Sequence, residues 1–197
     1  MRWVEEQLSA GSMHNVRHLW TSVRPNGDDR PHDLNRIEVR ICDLIADPLE
    51  LLAVAAFAEL RLLQLLADPG RFDPLLASTL APEELAELAD ANDRAAARSS
   101  LEAELRHWKS GAPILARDWI RAELEEMAPL AGSLGLGNLL PCLEMLLTRG
   151  NTAMRWLALQ RTGQPVGEIV AAEAAALEAR EIALEACLAT DPAHALG

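Results

Sequence analysis

The sequence predicts an α+β fold that is mainly helical: an antiparallel β-hairpin near the N-terminus packed by about six or seven helices. Three observations lead there. Half of the 197 residues are hydrophobic but only 4% are aromatic, with five Trp, two Phe and no Tyr, so the core has to be built from Leu and Ala. That composition favours packed helices. Two stretches near the N-terminus have strand character, the second with a clear two-residue alternation of apolar and polar positions. From Asp47-Pro48 onward, Ala/Leu-rich segments punctuated by Pro and Gly take over.

Taken in order, Arg2 to Leu8 has the makings of a short helix, which Gly11 and Ser12 end. Val16 to Arg24 reads as a strand, and Pro25-Asn26-Gly27 turns the chain. After the polar loop 28–33, residues 34–42 read as the second strand. There Ile37, Val39 and Ile41 share one face and Glu38 and Arg40 the other, while His18, Trp20, Ser22 and Arg24 share a face of the first strand. A long helix runs from Pro48 to about Leu66 and stops at Asp68-Pro69-Gly70. Further helices are expected over Pro82 to Ala91, Asp93 to Lys109, Pro113 to Leu130, Leu139 to Thr148 and Thr152 to Arg161. Val166 to Leu188 is an Ala/Glu-rich helix with a solvated face, and the tail is expected to fray. The chain is expected to be a single domain in which region 1–45 carries the site and region 46–190 is helical. A two-stranded hairpin is marginal alone and has two open edges. Helices must cover it, or strands from a partner chain or a preceding segment must extend it.

Acidic residues outnumber basic ones 30 to 18, and the formal charge of -12 is the wrong sign for a nucleic-acid binder or a protein of anionic membrane surfaces. No apolar run of membrane-spanning length and no signal-peptide pattern is present, which points to a cytoplasmic protein. Cys42, Cys142 and Cys187 are odd in number, far apart and without a CxxC, so they read as reduced structural thiols. Lys109 is the only lysine. Nearly all positive charge is therefore guanidinium, which suits bidentate recognition of carboxylate or phosphate. The histidines lack metal-site spacing apart from His14 and His18, which fall at a strand entrance, and Gly132, Gly135 and Gly137 make no phosphate-loop motif. Asn151 reads as a helix N-cap, with Arg155 within reach of an anionic site.

The sharpest constellation is Arg24, Glu38 and Arg40 on adjacent strands, with His18, Arg36 and Asp43 nearby. A carboxylate flanked by guanidiniums stays ionised and can take a hard cation such as Mg²⁺, and the guanidiniums can hold phosphoryl oxygens. The same residues also suit a solvated hairpin face with cross-strand ion pairs, each contributing about 0.2–1 kcal/mol. Pattern alone leaves both open.

The segments Asn15 to Gly27, Leu34 to Asp43, Ser99 to Ala103, Ala116 to Ile120 and Gly150 to Leu157 together resemble the cyanobacterial type of glutamate-cysteine ligase, in the carboxylate-amine ligase family. The resemblance runs over almost the whole chain. It implies a glutamine-synthetase-like fold and ATP-dependent joining of the γ-carboxylate of glutamate to the amine of cysteine, with ATP and Mg²⁺ required. By the same resemblance Glu38 is the candidate metal ligand, Arg24 and Arg40 are candidates for phosphate or substrate carboxylate, and Arg36 is a weaker fourth. Trp20 packs or walls the pocket, and His18 receives no acid or base role. Family members are considerably longer, so the chain is expected to correspond to a C-terminal part with little ligase activity of its own. Two rival readings are a non-catalytic helical interaction module and a ligase of the same kind for another amine.

Overall fold

The computed structural model describes residues 6, 9–11, 21–24, 36–39 and 45–190, with side chains described for residues 6, 9–11 and 45–182. The chain divides into two compact units, Met1–Leu44 and Ile45–Gly197. Its architecture is α+β and mostly helical, as the sequence predicts.

In the first unit, β1 (Thr21–Arg24) and β2 (Arg36–Val39) form a two-stranded antiparallel sheet. Thr21, Val23, Ile37 and Val39 are β-branched residues of the kind a pleated surface accepts best, and the register sets Thr21 opposite Val39 and Val23 opposite Ile37. Both strands lie within the stretches expected to be extended; the remainder of those stretches, Arg40 included, lies outside the described residues. Of the short helix expected over Arg2 to Leu8, Glu6 is helical and the other residues lie outside the described set.

The second unit opens with α1 (Pro48–Ala67), followed by two single-turn helices, α2 (Pro69–Phe72) and α3 (Pro74–Ala77). Each follows an Asp-Pro step. Asp47, Asp68 and Asp73 accept a hydrogen bond from the first-turn amide of Leu49, Arg71 and Leu75, while Pro, which lacks the amide hydrogen, takes the first helical position. Then come α4 (Pro82–Ser99), a 3₁₀ turn (Ser100–Glu102), a second antiparallel hairpin of β3 (Glu104–Arg106) and β4 (Pro113–Leu115), and α5 (Ala116–Ser133). A further 3₁₀ turn (Gly137–Leu139) leads into α6 (Leu140–Arg149), α7 (Thr152–Arg161) and α8 (Val166–Thr190). The core joins Ala53 and Leu60 of α1, Leu101 of the first 3₁₀ turn, Leu124, Met127 and Ala131 of α5, and Leu143 and Leu147 of α6. It is a Leu/Ala core with one Met, in line with the composition. Each large side chain fully buried there contributes about 1.5–3 kcal/mol. Ile169 is the buried hydrophobic residue of α8 among the described side chains, and Cys142 is a free, half-buried thiol. The side chains of Cys42 and Cys187 lie outside the described residues.

Two helix expectations need correction. Residues 82–99 form one helix rather than two, and the region 104–115, expected to complete a helix and begin the next, is the β3–β4 hairpin. Ser100 ends α4 with a backbone conformation (φ 51°, ψ −126°) that no helix continues through. Beyond it, the Asn92 side chain grips the backbone of Arg106 from both sides: Nδ2 donates to the carbonyl (2.8 Å) and Oδ1 accepts from the amide (2.8 Å). The side chain thus supplies β3 with the bonds a further strand would make. Helix-favouring Ala103-Glu104-Leu105-Arg106 is extended because tertiary partners override its propensity.

Candidate functional site

The β1–β2 register places Ser22 opposite Glu38 and Arg24 opposite Arg36. Directly opposed residues share a face, so positions 22, 24, 36 and 38 occupy the same side of the hairpin, with Arg24 and Glu38 as diagonal neighbours. Three of the four sequence-predicted site residues therefore come together. The fourth, Arg40, lies outside the described residues, as do His18, Trp20 and Asp43. Arg36 stands closest in register to Arg24. With Glu38 one step along, the register brings two arginine positions and one glutamate position to one face.

In the helical unit, the segments 99–103, 116–120 and 150–157, far apart in sequence, meet around the 3₁₀ turn Ser100–Glu102. The amide of Ala116 donates to the carbonyl of Ala103 at 2.9 Å, Arg117 pairs with Glu102, and Asn151 Nδ2 donates to Ser100 Oγ at 2.7 Å. Asn151 also caps α7, its Oδ1 accepting from the Met154 amide at 2.9 Å, the N-cap role its sequence position implies. Gly150 precedes it with φ 86°, and a Cβ there would meet Met154 Cβ at 3.1 Å, so both conformation and space require glycine. Arg155 is held by a two-pronged pair with Glu50, Nη1 to Oε1 at 2.9 Å and Nη2 to Oε2 at 3.0 Å, and by the Gly150 carbonyl at 2.7 Å. The reach to an anionic group is thus satisfied internally by Glu50.

Beside this turn lies an open cleft of about 870 Å³. Arg98 from the end of α4, Arg149 from the end of α6, and Arg155 and Arg161 from α7 line it together with Ser100. Sequence reasoning missed this cluster, because each of Arg98, Arg149 and Arg161 reads as an ordinary cation in the last turn of its own helix. The available signal was the spacing of Arg149 and Arg161 to either side of the Gly150-Asn151 boundary. Among the described residues no three His, Cys, Asp or Glu side chains gather as a metal cluster, and no helix is long and apolar enough to cross a membrane.

Residues 1–176 match the family described as glutamate-cysteine ligase family 2. A relative from Gloeobacter violaceus, named "Putative glutamate--cysteine ligase 2", is 28% identical over 166 residues, which cover 83% of this chain and 41% of that protein. The chain thus spans less than half the length of the curated relative it matches. No solved structure matches it. The segments at 99–103, 116–120 and 150–157, which meet at one turn, and the Arg24/Arg36/Glu38 face all fall inside the matched residues. By a match that covers most of its length, the chain belongs to glutamate-cysteine ligase family 2.

Proposed function

We propose that this chain carries part of the active site of an ATP-dependent ligase that joins the γ-carboxylate of L-glutamate to the amine of L-cysteine, the first step of glutathione synthesis in the cytoplasm. The family match over residues 1–176 carries this reading, and the shared face of Arg24, Arg36 and Glu38 supports it. In the reaction, an oxygen of the γ-carboxylate attacks the terminal phosphorus of ATP and ADP leaves. The cysteine amine then attacks the acyl carbon, phosphate departs and the amine loses a proton. Such chemistry needs polyanions positioned and their charge neutralised rather than a covalent partner from the protein.

The donor set fits that need. Glu38 offers a carboxylate to Mg²⁺, a cation commonly bound by one or two carboxylates plus substrate phosphates. Bound Mg²⁺ would neutralise phosphate charge. Arg24 and Arg40, with Arg36, hold phosphoryl or substrate carboxylate oxygens through paired hydrogen bonds. One glutamate and a few arginines do not assemble an ATP site that holds several cations, so the 197-residue chain is expected to turn over slowly or not at all on its own.

Calorimetric titration of the chain with ATP and excess Mg²⁺ tests the assignment. Saturable binding that Glu38→Gln weakens at least tenfold, with unchanged helical circular dichroism, supports it; equal binding removes Glu38 from the site. Arg24→Lys and Arg40→Lys are each expected to weaken binding too, since an ammonium cannot reproduce a guanidinium fork. Near-normal binding in both would favour the solvated ion-pair face. Leu49, Leu51 and Leu52, each more than half exposed on α1, favour a second reading as a non-catalytic interaction module. A folded chain that binds no nucleotide but associates as its concentration rises would support that alternative. Where turnover is measurable, a ligation assay with other amines in place of cysteine decides the acceptor.

A further inference from the structure

Eleven arginines have described side chains. Eight are held by a hydrogen bond or ion pair within the protein, among them Arg61 with Glu123, Arg117 with Glu102 and Arg155 with Glu50. The other three, Arg98, Arg149 and Arg161, make neither among the described residues, and all three line the same cleft. They are exposed and reach it from the ends of three different helices.

A simpler account is that each cation complements the dipole of its own helix. It explains why an arginine sits in each last turn, but not why three such ends converge. It also leaves charge over. Three helix C-termini supply about −1.5 elementary charges against three guanidiniums, a surplus of about +1.5. Glu102 and Arg155 do not change that sum, because each is matched by its own partner, Arg117 and Glu50. In a chain of formal charge -12, a concave wall with a positive surplus focuses the local field towards an anion.

We propose that this cleft is a binding site for a small polyanion carrying two or more phosphate or carboxylate groups. Its volume of about 870 Å³ suits a small molecule rather than a protein chain. Three forks spread over three helix ends call for more than one anionic group. Ser100 Oγ already accepts from Asn151, which leaves its hydroxyl proton to donate into the cleft, and Leu157 and Ala158 offer an apolar wall to the rest of the ligand. All the lining residues belong to the unit Ile45–Gly197, and the proposal does not depend on the ligase reading.

Calorimetric titration of the 197-residue chain with tripolyphosphate, without divalent metal and at 0.15 M salt on the order of cytoplasmic ionic strength, tests the proposal. Saturable binding is expected, weakened at least tenfold by each of Arg98→Gln, Arg149→Gln and Arg161→Gln and less than twofold by Arg94→Gln. The corresponding Arg→Lys variants keep the charge at the helix end, so they retain the fold while still losing affinity. Citrate in place of tripolyphosphate shows whether carboxylate is accepted as well as phosphate, and saturable binding of either through the three arginines supports the site. Three results would overturn it: no saturable binding by a folded chain, equal weakening by Arg94→Gln, or binding of long polyglutamate alone, which would make the face a contact for an acidic macromolecule.

Discussion

Ser100 holds a backbone conformation (φ 51°, ψ −126°) that residues with a Cβ visit rarely, at a cost of order 1–3 kcal/mol. The Asn151 bond and the packing of Leu101 below it keep the turn in place. This reverses the usual ranking of Ala over Gly near a helix. Ser100→Gly is expected to be more stable than Ser100→Ala by about 1–2 kcal/mol in urea unfolding, because both lose the hydroxyl but only Ala keeps the strained Cβ. Ala equal to or above Gly would show that the turn relaxes. Nothing in the residue type of Ser99-Ser100 declares a left-handed residue, which is why this junction was not legible in the sequence. His107 makes a second residue-scale case. It lies against Trp119 and Trp108, with ring centroids 4.8 and 5.6 Å away, and its Nδ1 accepts from the Lys109 amide at 3.1 Å. Burial, helped by Lys109 and Arg61 and opposed by Glu123, lowers its pKa from the ordinary 6.5. The unfolded chain therefore binds this proton more readily than the folded one. The stabilisation is present above pH about 6.5 and is lost as pH falls through the window below it. The thermal midpoint is expected to drop more between pH 7.5 and 5 in the wild type than in His107→Gln; identical slopes would refute a neutral folded histidine.

At the scale of elements, the β3–β4 hairpin shows how a strand can hide in a helical sequence. Its loop is fastened from outside: the Thr79 amide and hydroxyl both donate to the Lys109 carbonyl at 2.9 Å, and Ser78 Oγ donates to the Trp108 carbonyl at 2.6 Å. Gly111 closes the turn at φ 72°, where a Cβ would stand 2.9 Å from Arg106 Nη2. Ser78 and Thr79 are far in sequence from Glu104-Leu105-Arg106, so periodicity had no access to them. Asn92→Ala removes both bonds to the Arg106 backbone and is expected to cost about 1–2 kcal/mol, with faster amide exchange at Arg106. Unchanged exchange there would mean that water replaces the clamp. By contrast, α1 and α7 were legible almost residue for residue, because Asp47-Pro48 and Asn151 are caps that act within their own first turn.

Across the whole molecule, sequence yielded the fold class and the strand pair, while the long-range ties came only from the structure. The pair of Glu50 and Arg155 is the clearest of them: with side chains 13% and 26% exposed, it fastens the first turn of α1 to the first turn of α7. Glu50→Gln leaves a half-buried guanidinium with a weaker partner and is expected to cost about 1–3 kcal/mol. Glu50→Gln combined with Arg155→Gln should cost less than the two single changes added, with a coupling of about 1–2 kcal/mol in a double-mutant cycle. Strict additivity would show that the pair adds no net stability. The hairpin face was legible only in part. Two-residue alternation put Glu38 and Arg40 on one face of the second strand, but which arginine stands opposite Arg24 is a matter of register, and residue types at Arg36 and Arg40 cannot decide it.

The tie between α1 and α7 also bears on how the protein is made. Glu50 and Arg155 are 105 residues apart in the chain. At a synthesis rate of about 5–20 residues per second, α1 leaves the ribosome about 5–20 s before α7 can anchor it. Until α5 and α6 emerge to cover Leu60, the helix presents that core leucine together with Leu49, Leu51 and Leu52, which stay outside, a surface of the kind that chaperones shielding apolar helices bind.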